Sequence, residues 1–316
     1  MIVAKRVWPH GRVFLGRIIV SGASGNFGHA AAEHLLDMGK DVIALSRSTG
    51  KLADLAAKGA EVRAADFDSP DGLAEAMAGG EKLLLVSTTM VGQRPRQHGN
   101  AIDAAKAAGV THIVYTSVID GGNPDHPAVE QHDHYATEQL LRASGVDFTI
   151  LYNSQYSEAV ATAMAIPALL AGSKPDNCGE GKIAFVSRDD CVAAAVGVLT
   201  QDGHANRTYA ITGPELLSVP EAIAMVADIA GKPIELVPVD DEGMYRYFDS
   251  IGAVRKSADL TPETPIPWAS EGMVTFGQAI REGYFDVLTD DVERITGRKP
   301  RTLRSVFEQY RGAWPQ

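Results

Sequence analysis

The chain has 316 residues, 45% of them hydrophobic and 22% charged, with a formal net charge of −11. That length suits one large α/β domain or a nucleotide domain with a smaller partner. The acidic balance argues against a nucleic-acid or anionic-membrane surface, because both need an excess of Lys and Arg.

No apolar run approaches the length of a membrane span. The first twelve residues carry early basic residues and short apolar pieces broken by Pro9 and Gly11, so a secretory signal is not expected. A cytoplasmic protein is expected. The two cysteines, Cys178 and Cys191, lie thirteen residues apart with no Cys-x-x-Cys spacing, so neither a disulfide nor a metal site is expected. Residues 1–16 read as an extension ahead of the fold.

The first strand is Arg17–Ser21. A helix over Phe27–Met38 follows, with Phe27, Ala31, Leu35 and Met38 on one apolar stripe and Gly39 placed as its terminal cap. Val42–Leu45 is strand two, Lys51–Lys58 a helix, and Glu61–Ala65 strand three. Ser69 and Pro70 suggest a cap and first turn for a helix over Pro70–Ala78. Lys82–Ser87 is strand four and Gln97–Ala108 its helix. His112–Thr116, Ala128–Ala143 and Phe148–Leu151 complete the series. Near-continuously apolar strands with short connections indicate a parallel sheet covered by helices on both faces. The fold class is therefore α/β, a doubly wound Rossmann-type sheet over residues 17–153.

After residue 153 the pattern loosens. Helices are expected near 189–199, 219–230 and 276–296, with a short one after Pro300. Loops are expected over Gly172–Gly181 and Pro262–Pro267. Residues 154–316 read as a smaller, mixed α/β substrate-side domain, some of whose segments return to the main sheet.

Gly22, Gly25 and Gly28 stand at three-residue spacing between strand one and its helix. A dinucleotide pyrophosphate needs such a tight turn, close backbone approach, and a helix N-terminus with free N–H groups. Ser24, Asn26 and Phe27 fill the positions facing the phosphates. NAD-specific versions place a carboxylate about 20 residues further on. Here strand two ends Leu45-Ser46-Arg47-Ser48. Arg47 can fork onto a 2′-phosphate, with Ser46 and Ser48 as neutral donors, which points to NADPH over NADH. The alternative is an exposed loop arginine. Asp66 and Phe67 follow strand three, where adenine binds. An ordinary turn aspartate and a core phenylalanine fit equally well. Ser87, Thr88 and Thr89 follow strand four, at the carboxyl ends where ligands sit.

These pieces resemble the atypical short-chain dehydrogenase/reductases, in the NmrA-like branch that includes NAD(P)H:quinone oxidoreductases and triphenylmethane dye reductases. The resemblance rests on Val20–Gly28, Gly59–Asp66, Ala101–Ser117, His134–Glu138 and Ser144–Leu151. Phe185–Asp190, Tyr209–Pro214 and Gly283–Asp286 continue it, so it spans roughly residues 17–310. It implies a nicotinamide near strands five and six, with Thr116 and Ser117 on the cofactor and Asn153 and Tyr156 on the substrate side. The branch often has an Arg after strand six, where this chain has Tyr152.

Standard short-chain reductases pair a Tyr with a Lys four residues later, which lowers the phenol pKa. Here Tyr135 is followed at that spacing by Gln139, a neutral side chain that cannot do so. Tyr135 then reads as a pocket or packing residue. His134 falls on the branch's His-x-x-x-Glu pattern, so Glu138 could orient or charge its imidazole; a helix-surface pair without chemistry is the other reading. The histidines and acids at 130–134 alternate between helix faces, which disfavours a metal.

A quinone accepts hydride readily and needs no strong acid. The expected activity is NADPH-dependent reduction of a quinone or similar conjugated acceptor. The alternative is an NmrA-like regulator that senses the dinucleotide without turnover. No nucleic-acid or membrane partner is expected, and a homo-oligomer stays open.

Overall fold

The computed structural model describes residues 16–261 and 263–315. Of the extension read over residues 1–16, all but Gly16 lies outside the described residues. The elements in chain order are β1 (Ile18–Val20), α1 (Asn26–Asp37), β2 (Val42–Ser46), α2 (Ala53–Ala57), β3 (Glu61–Ala64) and α3 (Leu73–Met77). Next come β4 (Lys82–Leu85), α4 (Arg94–Ala107), β5 (His112–Val118), α5 (Val129–Ala143) and β6 (Asp147–Asn153). The second half contributes α6 (Ser157–Ala159), α7 (Ala165–Ala171), β7 (Ser173–Asp176), β8 (Lys182–Ile183), α8 (Arg188–Thr200) and β9 (Arg207–Ile211). The chain closes with β10 (Leu217–Ser218), α9 (Val219–Ala230), β11 (Glu235–Pro238), α10 (Asp241–Ser250), α11 (Ser270–Arg281), α12 (Asp291–Thr296) and α13 (Leu303–Tyr310).

Seven strands form the expected parallel sheet in the order β3-β2-β1-β4-β5-β6-β9. The order reverses between β1 and β4, and a ligand crevice opens at the carboxyl ends of strands at such a switch point. Both faces are apolar. Ile18, Val20 and Ala44 pack with Leu35 of α1 and Ala194 and Val198 of α8. Ile19, Ile43, Leu83 and Ile113 pack with Leu73 of α3, Ile102 of α4 and Leu141 of α5. A third cluster joins Phe185, Val219, Phe285, Phe307 and Trp314 in the second half.

Several boundaries differ from expectation for identifiable reasons. Helix α3 starts at Leu73, not Pro70, because Gly72 takes a left-handed φ of +82° and separates the Ser69–Pro70 turn from the helix. Helix α4 starts earlier, at Arg94, because Pro95 needs no N–H partner in a first turn. The single helix expected over 276–296 is two, α11 and α12, separated by the turn that buries Phe285. The loop expected over Gly172–Gly181 contains β7, which pairs in parallel with β11. A helical stretch over residues 157–171 went unread. It widens into a π turn over Val160–Met164 just ahead of Pro167, whose ring cannot accommodate the normal ladder.

The C-terminal segment is tied to the sheet layer through Asp190, whose side chain is fully buried at the start of α8. Its carboxylate accepts from the Arg298 guanidinium at 2.5 Å, the Arg301 N–H at 2.8 Å and the Ser187 hydroxyl at 2.6 Å. Ser187 Oγ in turn caps the helix by accepting from Asp190 N. Asp190→Ala leaves these donors unmatched and is expected to lower the unfolding free energy by about 2–4 kcal/mol in a denaturant titration. A loss under about 0.5 kcal/mol, the range of an ordinary surface change, contradicts this role.

Candidate dinucleotide and acceptor cleft

The turn after β1 is set by contacts that leave no room for side chains. Gly25 N donates to Gly22 O at 2.9 Å, and Ala23 N donates to Leu45 O at 3.0 Å. A Cβ on Gly28 would lie 2.5 Å from Gly22 O and 2.7 Å from Ser21 O. Only hydrogen fits there, so α1 seats directly on the turn and aims its first N–H groups into the crevice. Ser21 Oγ accepts from Val86 N at 2.9 Å and locks the turn to the end of β4.

A cleft of about 660 Å³ runs along the carboxyl edge of the sheet. Gly22, Ser24, Gly25, Asn26, Phe27 and Gly28 line it at the turn. Arg47, Asp66 and Phe67 line it beyond β2 and β3, and Ser87, Thr88 and Thr89 beyond β4. Thr116, Ser117, His134, Asn153 and Tyr156 line the far end. Tyr135 is not among the described lining residues. It sits half-buried on α5, so the structure does not support the expected substrate-side position. Gln139 is exposed.

Arg47 is exposed at the mouth beside Asp68. The Asp68 carboxylate accepts from Gln97 at 3.0 Å and pairs with Arg96; these two partners and the nearby Arg47 hold its pKa below the usual value. Ser46 differs from expectation. Its hydroxyl donates to Ser24 Oγ at 2.9 Å and accepts from Ser48 N at 3.0 Å, so it braces the glycine turn and is committed before any phosphate arrives.

At the far end the polar groups form a buried network. His98 Nε2 accepts from Thr88 N at 3.1 Å. Thr137 Oγ1 donates to Asp133 O, which leaves it to accept from His98 Nδ1 at 2.9 Å. This assigns a neutral His98 with its proton on Nδ1. Burial, with Arg94 nearby, pushes its pKa down to about 3. His134 bonds through Nδ1 to Tyr115 OH at 2.8 Å, and burial, Arg94 and His98 hold its pKa well below 6.5. The expected coupling of His134 to Glu138 does not occur. Glu138 turns away and accepts from Ser117 Oγ and Tyr152 OH.

Sequence reading missed several lining residues. Arg94, the first residue of α4, donates through Nε to Thr88 O at 2.6 Å and stands 3.9 Å from Asp133. Placing α4 from residue 97 hid it. Phe276 and Phe285 reach the cleft from the second half of the chain, and local pattern carries no signal for that. Asn153 Nδ2 donates to Tyr156 OH at 3.1 Å, while Asn153 Oδ1 and Ser154 Oγ are buried without a hydrogen-bond partner among the described residues. Orphaned buried acceptors of this kind fit a ligand that brings its own donors.

Residues 22–202 match the family described as NAD(P)H-binding. Quinone oxidoreductase 2 of Escherichia coli (strain K12) is 34% identical over 258 residues, which cover 81% of this chain and 89% of that protein. The chain belongs to the NAD(P)H-binding family. A solved NADPH-dependent quinone oxidoreductase from Escherichia coli, complexed with NADPH, superposes with a TM-score of 0.83 at 30% identity, covering 92% of this chain and 99% of that one. Citrobacter sp. triphenylmethane reductase complexed with NADP(H) gives 0.79 at 28% identity, covering 93% and 99%. The resemblance read from the glycine turn and the later stretches is thus borne out at the level of family and fold. Among the described residues, no helix is long and apolar enough to cross a membrane.

The two buried histidines have a pH consequence. Their native pKa values lie below the unfolded value of 6.5, so their contribution is present above that pH. It is lost as pH falls from 6.5 towards about 3 for His98, at up to about 1.4 kcal/mol per pH unit for each ring. Ring nitrogen shifts in the native protein are expected to keep both imidazoles neutral at about pH 5. A midpoint near 6.5 for either ring contradicts the burial described.

Proposed function

We propose that the chain is an NADPH-dependent oxidoreductase that reduces quinones and similar conjugated acceptors. The observation that carries this reading is the cleft itself. It runs without interruption from the glycine turn and Arg47 to a polar floor of Thr116, Ser117 and Asn153 faced by Phe276 and Phe285. The names of the relatives, quinone and dye reductases, support it.

Bound NADPH supplies a hydride at the far end of the cleft. The residues divide the work of holding it. The α1 N-terminus and the backbone of Gly22–Gly28 receive the pyrophosphate. Arg47, with Ser48 beside it, pairs with the 2′-phosphate through its planar fork. Asp66 and Phe67 border the adenine. Ser87, Thr88 and Thr89 border the ribose and phosphates. The open acceptors of Asn153 and Ser154 suit the carboxamide amine of the nicotinamide.

On the acceptor side, Phe276, Phe285 and Tyr156 form an apolar wall that suits a flat conjugated ring and excludes water. His134 uses Nδ1 on Tyr115, which leaves Nε2 as the nitrogen that can bond an acceptor oxygen. As a neutral imidazole it orients the oxygen and does not supply a strong acid. That matches an acceptor that takes hydride readily, and it matches the lack of a Tyr/Lys pair at 135 and 139.

The test is steady-state oxidation of NADPH and NADH by simple quinones. Arg47→Ala is expected to raise KM for NADPH by about 10–100-fold, the worth of one charge-assisted fork, with little change for NADH. Equal effects on both cofactors overturn the 2′-phosphate assignment. Binding of NADPH without turnover of quinones, azo dyes or triarylmethane dyes overturns the oxidoreductase reading in favour of a dinucleotide sensor.

A further inference from the structure

Behind the floor of the cleft lies a buried carboxylate that holding a dinucleotide does not require. Glu138 of α5 has a fully buried side chain. Its Oε1 accepts from Ser117 Oγ at 2.8 Å, and its Oε2 accepts from Tyr152 OH at 3.0 Å. The chain is cut to fit this group. A Cβ on Gly121 would lie 2.5 Å from Ser117 Oγ and 2.9 Å from Glu138 Oε1; one on Gly122 would lie 2.6 Å from Tyr152 OH. Two successive glycines close over these polar atoms and leave no space for a side chain there.

The ends of this chain face different spaces. Ser117 lines the dinucleotide cleft. Tyr152 lines a second cavity of about 570 Å³, together with Asp120, Tyr284 and the exposed Glu282. Hydrogen bonds of ordinary length thus connect the cleft to the second cavity.

We propose that Ser117, Glu138 and Tyr152 form a proton relay that delivers to the acceptor oxygen the proton consumed in quinone reduction. The proposal rests on the oxidoreductase reading above. A quinone becomes a quinol by gaining one hydride and one proton, and the hydride comes from the reduced nicotinamide. As the quinol O–H bond forms, the Ser117 O–H bond breaks. For the transfer Glu138 is protonated, with its Oε1–H turned to donate to Ser117 Oγ and the Ser117 O–H turned to the acceptor. Ser117 Oγ takes the Oε1 proton as its own leaves, and Glu138 Oε2 takes one from the Tyr152 hydroxyl. Water in the second cavity reprotonates Tyr152. One proton leaves solvent and one arrives on the acceptor. Each residue regains its proton, the Glu138 proton now on Oε2, and rotation of the carboxyl O–H and the two hydroxyls resets the chain. Ser117 touches the acceptor; Glu138 and Tyr152 act through it.

The surroundings suit a carboxyl that holds a proton. Burial pushes the Glu138 pKa up, against the lowering effect of its bonds to Ser117 and Tyr152 and of Arg142. Arg142, one turn along α5, is 3.6 Å away. From β5 it meets Ser117 and lies near the Tyr115 phenol, from β6 it meets Tyr152, and the adjoining turn carries Asp120, Gly121 and Gly122. Tyr152 is itself pushed up by burial and by Glu138, so it passes a proton in concert and does not ionise.

Two acceptors separate the relay from hydride transfer. A quinone needs hydride and a proton; a cationic triarylmethane dye is neutralised by hydride alone. Glu138→Gln and Tyr152→Phe are expected to lower the quinone-to-dye turnover ratio at least about tenfold, at the low end of what a proton donor contributes. In the cofactor-free protein, the infrared band of a protonated carboxyl is expected to titrate above the ordinary glutamate range. Burial also pushes up Glu130 and Asp133, so the Glu138 component is read as the difference between native protein and Glu138→Gln, and that component shifts in Tyr152→Phe. Native turnover of both acceptors with an unchanged ratio in the variants overturns the relay alone, as does the absence of that component. Native protein that turns over neither acceptor overturns the oxidoreductase reading and the relay with it.

Discussion

The contact between Gly28 and the carbonyls of Ser21 and Gly22 sets the geometry of everything downstream. With a Cβ at residue 28, α1 would have to lift off the end of β1. Because it does not, the helix N-terminus points along the carboxyl edge of the sheet, where its unpaired N–H groups and partial positive charge suit a phosphate. The turn is then held from three sides: by Leu45 O on β2, by Val86 N after β4, and by the Ser46–Ser24 hydroxyl pair. The cofactor's length does the rest. On the proposed reading, a dinucleotide with its pyrophosphate at this turn would have Arg47 at one end of the cleft and Thr116, Ser117 and Asn153 at the other.

The far end of the cleft shows how one chain trades a strong acid for position. The histidines that look reactive in the sequence are buried and neutral, and they serve as fixed donors and acceptors for Thr88, Thr137 and Tyr115. Glu138, one helical turn from His134, faces Ser117 and reaches the cleft through that hydroxyl. A helix places residues i and i+4 on one face, yet the side chains follow whichever partners the neighbouring strands offer. Here β5 offers Tyr115 to the histidine and Ser117 to the glutamate.

Much of the sheet half was legible because its determinants are local. Apolar runs such as Lys82–Leu85 and His112–Val118, and the glycine spacing after Val20, state their structure within a few residues. Arg47 was legible as an arginine standing where a carboxylate would otherwise be. The second half was not, since its features depend on distant partners. The π turn at Val160–Met164 answers Pro167, and β7 exists only because Glu235–Pro238 comes to pair with it. Phe276 reaches the cleft from α11 and Phe285 from the turn after it, and no local periodicity predicts where either lands. Tyr135 reads in the sequence as a pocket or packing residue; it is half-buried on α5, and the helix presents His134 to the cleft lining instead.

The central claim is that the Gly22–Gly28 turn holds the dinucleotide. Titration of NADPH into native protein and Gly28→Ala, at a temperature where circular dichroism shows both folded, tests it most directly. The added Cβ is expected to weaken binding at least about tenfold, near 1.4 kcal/mol, with the fold retained. Equal affinity in the two proteins would contradict the account.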